Sequence, residues 1–306
     1  MVSVGRHENI ELLAYSEVDS VSGYVGNFEV NITRKPRYID PEECTGCGEC
    51  AEVCPINIVD AFEAGMDTRK AAYRNSPQAV PNVFTIDKKG IAPCRDACPT
   101  DQRAMGYVSL VAEGRYADAY AAIRRENPFP SVCGRVCNRE CELACSRGQV
   151  DEPVNIMGLK RFVADWAYAH RDQLAGTNQK SITGTPFQED PAPTGQRVAV
   201  IGGGPAGLTA AYDLVRLGHS VTVYDALPEA GGMIRVGIPP HRLPYERLDW
   251  EIQQILDEGV DLQLNTRVDD IPGLFEDGFQ AVLVATGAHQ AYKINIPNAD
   301  HPDNWL

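Results

Sequence analysis

Residues 197–225 read RVAVIGGGPAGLTAAYDLVRLGHSVTVYD, and their order decides the fold. A short run from Arg197 to Ile201, apolar after its first residue, leads directly into Gly202-Gly203-Gly204-Pro205-Ala206-Gly207. LTAAYDLVRLG continues with helical spacing, and SVTVYD supplies a second strand closed by an acid. Strand, glycine turn, helix and strand in that order make an α/β winding unit. Gly202 permits the tight turn, Gly204 lets backbone approach a pyrophosphate, and Gly207 permits close packing of helix on strand. The helix beginning at Pro205 and Ala206 turns free amides and the positive end of its dipole toward the phosphates. Asp225, 18 residues beyond Gly207, is placed to accept hydrogen bonds from an adenosine ribose. A carboxylate there suits FAD or NAD better than NADP, whose 2′-phosphate it would repel.

Upstream, residues 174–195 (LAGTNQKSITGTPFQEDPAPTG) are rich in Gly, Thr and Pro and poor in apolar residues, which predicts a linker. All ten cysteines precede it, in tight groups between Cys44 and Cys145. The N-terminus, MVSVGRHENIELLAY, lacks the basic start and apolar core of a signal peptide, so the chain is expected to be cytoplasmic. Clustered cysteines in that reducing compartment bind metal or do redox chemistry far more often than they form disulfides.

The first group, Cys44-Thr-Gly-Cys47-Gly-Glu-Cys50-Ala-Glu-Val-Cys54-Pro55, is C-x2-C-x2-C-x3-C-P. Its short steps wrap one loop around a cubane, and its small residues let backbone amides reach the sulfides. In two-cluster ferredoxins the fourth cysteine ligates the other cluster, so Cys54 either closes this site or serves a partner. Zinc is the alternative metal, but zinc sites usually pair two separated C-x2-C knuckles. The second group holds Cys94, Cys98, Cys133, Cys137, Cys141 and Cys145. Six thiolates suffice for one four-iron cluster with two left over. The spacing of four from Cys133 to Cys145 puts successive cysteines on one face if that segment is helical.

Residues 1–40 read as β-structure, with a tight hairpin at Gly26-Asn27. Residues 101–126 predict a helical hairpin broken at Gly114, and residues 159–170 a further helix. At 306 residues the chain holds two or three domains, and no apolar run approaches the roughly 20 residues that span a bilayer. A net charge of −14 argues against nucleic acid, which needs basic surface. No Ser/His/Asp or paired-carboxylate constellation is evident, so no catalytic acid, base or nucleophile is assigned.

Six blocks give residues from about 91 to 306 a resemblance to the small subunit of glutamate synthase and its relatives. These are PCRDACPT, NPFPSVCGRVCNRECELAC, DEPVNIMGLKRFVADW, GGGPAGL, EAGGMIRVGIPPHRLP and VLVATGA. The relatives include the NADPH-side domains of dihydropyrimidine dehydrogenase and the bifurcating transhydrogenase. The resemblance implies a helical domain with two four-iron clusters and an FAD domain lined by Gly231, Gly232, Thr286 and Gly287. The chain departs from that family just before Cys94, where DKKGIAP replaces a further C-x2-C pair. Cys94 and Cys145 thereby lose their partners, whereas Cys98, Cys137 and Cys141 keep the other cluster. The fourth ligand of that cluster in dihydropyrimidine dehydrogenase is a glutamine. Lys160 stands at its position here, leaving Cys133 as the nearest substitute.

Residues 1–90 resemble the A-type subunit of heterodisulfide reductase through HENIELLAYSEVDSVSGYVGNFEVNITRKPRYID, CTGCGEC and TRKAAYRNSPQAVPN. That resemblance implies a cluster loop inserted in a flavin domain, with Lys70 near the flavin.

The fold expected is multidomain, α+β and α/β. Partial flavin-domain β-structure fills 1–90 with a ferredoxin-like insert at 41–60, a helical iron–sulfur domain fills 91–173, and 196–306 form the first half of a Rossmann-like FAD-binding domain. Two 4Fe-4S clusters and FAD are expected, a third cluster is left open, and NAD(P) is expected only if the chain continues beyond residue 306. The parent protein is read as an FAD- and iron–sulfur-dependent NAD(P)H:acceptor oxidoreductase, working with other redox subunits or ferredoxin. The alternative is a non-enzymatic electron-transfer subunit. The chain itself is read as a piece of a longer fusion.

Overall fold

A computed structural model describes residues 2–5, 7–88, 90–174 and 192–288. Most of the linker expected at 174–195, and everything from 289 to 306, lie outside the described residues. The chain divides into two compact units, Met1–Pro93 with Ala144–Val154, and Cys94–Leu143 with Asn155–Leu306. The second unit joins the helical segment to the dinucleotide-type segment, so this division differs from the four segments read along the sequence.

In the first unit a short helix α1 (Val2–Gly5) precedes an antiparallel hairpin of β1 (Ser16–Tyr24) and β2 (Asn27–Arg34). Tyr24 pairs with Asn27, so the two-residue turn is Val25-Gly26, one residue earlier than the sequence suggested. Gly26 takes the positive φ of 89° there, while Asn27 is already in the ladder. Helix α2 (Glu49–Glu52) lies inside the first cysteine run. Two small sheets follow, β3 (Asn57–Val59) with β4 (Thr68–Lys70), and β5 (Ala72–Tyr73) with β6 (Thr85–Ile86). Their core is modest: Ala71, Ala72, Val83 and Phe84 are buried beside Thr85. Arg69 ties it together, pairing with Asp87 at 2.8 Å and lying 3.3 Å over the Tyr73 ring.

Helix α3 (Pro93–Asp96) runs from the last residue of the first unit into the second, where the expected helical hairpin of α4 (Ala104–Ala112) and α5 (Tyr116–Arg124) follows. Gly114 makes the break with φ 73°. Helix α6 (Pro130–Val136) carries Cys133 and α7 (Glu140–Leu143) carries Cys141. Between them Cys137 is extended (φ −64°, ψ 144°) and Arg139 is left-handed (φ 66°). The spacing of four therefore does not place these cysteines on one helical face: the chain turns twice among them. Cys145 precedes a 3-10 turn, Ser146–Gln149, in the first unit. Helix α8 (Ile156–Ala169) is capped by Asn155, whose side chain accepts from the Gly158 amide at 3.0 Å, and α9 (Arg171–Leu174) follows.

The sheet contains β7 (Arg197–Ile201), β8 (Ser220–Tyr224), β9 (Asp261–Gln263) and β10 (Ala281–Val284), in the order β10-β7-β8-β9 with every pair parallel. Helix α10 (Pro205–Val215) joins β7 to β8. Between β8 and β9 come α11 (Met233–Gly237) and α12 (Tyr245–Leu256), and α13 (Ile271–Glu276) leads to β10. One core serves both halves of this unit, because Phe129 and Val132 of the helical half pack with Val200, Leu208, Val223 and Leu248 of the sheet half. Fully burying such a side chain stabilises by about 1.5–3 kcal/mol. Polar links reinforce the joint: Tyr120 stacks on Trp250 at 5.6 Å and Arg124 Nη1 donates to Gln254 Oε1 at 3.0 Å.

Candidate functional site

The glycine turn lies at the carboxyl ends of the parallel strands, where α/β folds bind ligands. Gly202 has φ 118°, and a Cβ there would lie 2.3 Å from the Ala285 carbonyl. A Cβ on Gly207 would lie 1.9 Å from the Gly202 carbonyl, so that glycine is required by the turn itself. Gly204 differs. Its added Cβ would meet only Gly232 at 3.8 Å, so the protein leaves that side open for a ligand's backbone approach. Helix α10 starts with Pro205 and has no side-chain cap, which leaves its first amides for a bound phosphate.

Around this turn is a cavity of about 500 Å³. Gly202, Gly204, Pro205, Ala206, Asp225, Gly232, Thr286 and Gly287 all line it. Gly207 and Gly231 stand behind them. The Gly231 amide donates to the Gly203 carbonyl at 2.8 Å, folding the EAGG segment over the turn. Met233, Thr266 and Arg267 also face the cavity, and the sequence offered no signal for them.

Asp225 is buried, and both its oxygens accept backbone amides, from Gly203 at 2.6 Å and Leu227 at 2.8 Å. Each carboxylate oxygen retains a further lone pair for a ribose hydroxyl. Gly203, to which the sequence assigned no role, is needed because a Cβ there would lie 2.9 Å from Asp225 Oδ2.

Five cysteines of the second group belong to the same unit: Cys94, Cys98, Cys133, Cys137 and Cys141. They gather around two side chains. Tyr107 of α4 is fully buried, and burial followed by the thiols of Cys141, Cys98, Cys94 and Cys137 raises its phenol pKa. Lys160 of α8 is only 7% exposed, lies 5.8 Å from the Tyr107 ring, and acts electrostatically on Cys98, Cys133 and Cys141. Burial raises the thiols of Cys133 and Cys141, with Lys160 opposing in both cases. Burial acts the same way on Cys98. There the Thr100 hydroxyl, the Gln102 and Thr100 amides and Lys160 outweigh it and leave the thiol below its ordinary value. Cys145 belongs to the other unit.

In the first unit, Cys50 is raised by burial, then by Cys44 and Cys47, while the Ala51 amide opposes. These three thiols thus lie within electrostatic reach of one another. Cys54 Sγ points to the Ile56 carbonyl at 3.6 Å. Gly46 (φ 74°) and Gly48 (φ 97°) bend the loop, and Arg74 donates to the Gly46 carbonyl at 3.3 Å. Lys70 is half-buried and lines a cavity of about 270 Å³ with Ala51, Phe62, Tyr73 and Arg74.

All ten cysteines are free thiols. Among the described residues no three Cys, His, Asp or Glu side chains converge on a single-ion site. Four thiolates carried in short loops are the donor set that a four-iron cluster takes.

Comparison with known families agrees. Residues 37–60 match the model for a 4Fe-4S binding domain. Residues 88–172 match dihydropyrimidine dehydrogenase domain II, 4Fe-4S cluster, and residues 200–258 match an NAD(P)-binding Rossmann-like domain. Two 4Fe-4S regions and a dinucleotide fold together define an iron–sulfur and dinucleotide-binding module.

Relatives narrow the type. The chain is 41% identical over 248 residues to the NADP(+)-dependent formate dehydrogenase subunit beta of Moorella thermoacetica, covering 77% of this chain and 34% of that one. It is 39% identical over 254 residues to the NADPH-Fe(3+) oxidoreductase subunit beta of Geobacter sulfurreducens, covering 81% and 36%. Its N-terminal part is 60% identical over 87 residues to the iron–sulfur subunit (A 1) of the CoB–CoM heterodisulfide reductase of Methanopyrus kandleri, covering 28% and 13%. The chain thus spans about a third of the two β subunits. It is a module like the A-type subunit of heterodisulfide reductase at its start, and like the small subunit of glutamate synthase beyond it. No described helix is long and apolar enough to cross a membrane.

Proposed function

We propose that this chain carries electrons between FAD and 4Fe-4S clusters within a cytoplasmic NAD(P)H:acceptor oxidoreductase, delivering them to partner redox subunits or ferredoxin. One observation carries the reading: the glycine cradle and five clustered cysteines are built on one shared core. A close-packed core fixes the separation between two redox groups. Gly202, Gly204, Ala206 and Gly207 with the start of α10 would hold the FAD pyrophosphate, Asp225 the ribose, and Gly231, Gly232, Thr286 and Gly287 the rest of the wall. Cys44, Cys47, Cys50 and Cys54 would hold one cluster, and Cys98, Cys137 and Cys141 with Cys133 a second. Cys94 and Cys145 would be left over, and Lys70 would face a flavin in the first unit. When bound, the flavin exchanges electron pairs and the clusters pass electrons singly.

The second reading is an electron-transfer subunit without hydride chemistry.

Anaerobic reconstitution of the full chain tests both. FAD is expected to bind, and to be displaced by ADP. Stoichiometric zinc without acid-labile sulfide would overturn the cluster assignment. Preference of the glycine turn for NAD(P)H over FAD would overturn the flavin assignment.

A further inference from the structure

Lys160 is out of place on its helix. The buried face of α8 is formed by Ile156, Lys160, Val163, Ala164 and Ala167, an apolar stripe at helical spacing with one lysine in it. Lysine is almost never fully buried unless paired. Here the side chain lies against the Tyr107 ring, and no described carboxylate forms an ion pair with it. The groups within its electrostatic reach are thiols: Cys98, Cys133 and Cys141. The carboxylates that act on these thiols, Glu251 on Cys133 and Glu142 on Cys141, have other partners. Glu251 accepts from the Ser131 amide, and Glu142 from the Met157 amide at 2.8 Å.

A buried ammonium that no carboxylate pairs with has lost water without gaining an opposite charge. Neutral thiols do not offset that loss, but a thiolate-held cluster does. Four thiolates around an oxidised four-iron core make a dianion, and one added electron makes a trianion. An ammonium has three donors and no lone pair, which suits it to hydrogen-bonding sulfur and not to binding iron. Resting on the cluster assignment above, we propose that Lys160 is the fixed countercharge of the cluster at Cys98, Cys137 and Cys141, raising its reduction potential without ligating it. The positive charge stabilises the trianion more than the dianion, so it favours the reduced state. Lys160 is thus a positioning residue of charge and not a ligand.

The test uses full-length protein carrying Cys47→Ala, which leaves the second cluster's signal alone, with Lys160→Met and Lys160→Arg added separately. Iron and acid-labile sulfide are counted, folding is followed by circular dichroism, and the midpoint potential is read by EPR-monitored redox titration. Lys160→Met is expected to keep its iron and sulfide while its reduction equilibrium falls at least tenfold, a drop of about 59 mV or more for a one-electron couple. Lys160→Arg, which keeps the charge, is expected to retain most of the parent potential. An unchanged potential in Lys160→Met with iron retained overturns the proposal. So does loss of the iron from folded Lys160→Met and Lys160→Arg alike, which would make Lys160 a ligand. If the Cys47→Ala parent itself holds no iron and sulfide, the cluster assignment fails first, a result distinct from either.

Discussion

Glu251 shows how a single side chain ties the chemistry of the second unit to its stability. It lies on α12, is fully buried, and its Oε1 accepts the Ser131 amide at the start of α6, while Oε2 is buried without a partner. Burial pushes its carboxyl up to about 7 from the ordinary 4.5, against the pull of the Ser131 amide and the charge of Arg124. The folded protein therefore holds this proton more tightly than the unfolded chain does. Below the ordinary value both states are protonated, and the group costs nothing. As pH rises toward 7 the unfolded chain releases the proton first, so stability falls, by on the order of 3 kcal/mol once the folded group has also ionised. Glu251→Gln keeps an acceptor for Ser131 and never ionises. Its melting temperature is expected to gain on the wild type between pH 5 and pH 8, by an amount worth roughly 2–3 kcal/mol. Thermal unfolding of the two proteins at both pH values checks this, and an equal difference at the two would refute it. Nothing in YERLDWEIQQIL marks Glu251 as buried, because its burial comes from α6, more than a hundred residues away in the chain.

At the scale of elements, the glycine turn was legible because its requirements are local. Strand, turn and helix are contiguous, and the clash at Gly207 and the positive φ at Gly202 come from neighbouring or nearby backbone. The cysteine segment was not legible in the same way. Spacing of four is compatible with one helix, yet Cys137 is extended and Arg139 left-handed, and α6 and α7 pack separately against α8. Lys160 was read as a poor ligand at an amide position, and only the packing of α8 shows that it is buried among thiols. The turn also separates two roles that its motif merges. Gly207→Ala forces a Cβ against the Gly202 carbonyl and is expected to destabilise by about 2–4 kcal/mol. Gly204 has ordinary extended backbone (φ −80°, ψ −175°) and open space, so Gly204→Ala is expected to cost within about 1 kcal/mol of stability. Its Cβ would occupy the face where the pyrophosphate approaches, and FAD affinity is expected to fall at least tenfold, about 1.4 kcal/mol. Denaturant unfolding and FAD fluorescence titration of both variants separate fold from binding. If Gly204→Ala bound FAD as the wild type does, that glycine would not be the ligand's point of approach.

For the whole molecule, the division into compact units bears on how many clusters it holds. The four cysteines of the first run belong to one unit, and Cys94, Cys98, Cys133, Cys137 and Cys141 to the other, with Cys145 alone across the division. A second cluster in the helical region would need Cys94 and Cys145 plus two thiolates that DKKGIAP does not supply. Anaerobically reconstituted chain is therefore expected to hold about eight irons and eight acid-labile sulfides, two clusters' worth. Cys47→Ala and Cys137→Ala should each remove about four, and the double variant nearly all, because each substitution takes a ligand from a different unit. Iron analysis with EPR of the reduced protein checks the count. About twelve irons, with about eight surviving in Cys47→Ala, would show that the helical region holds two clusters. Ligands from outside the six cysteines would then have to complete them, and Lys160 would be the first residue to re-examine.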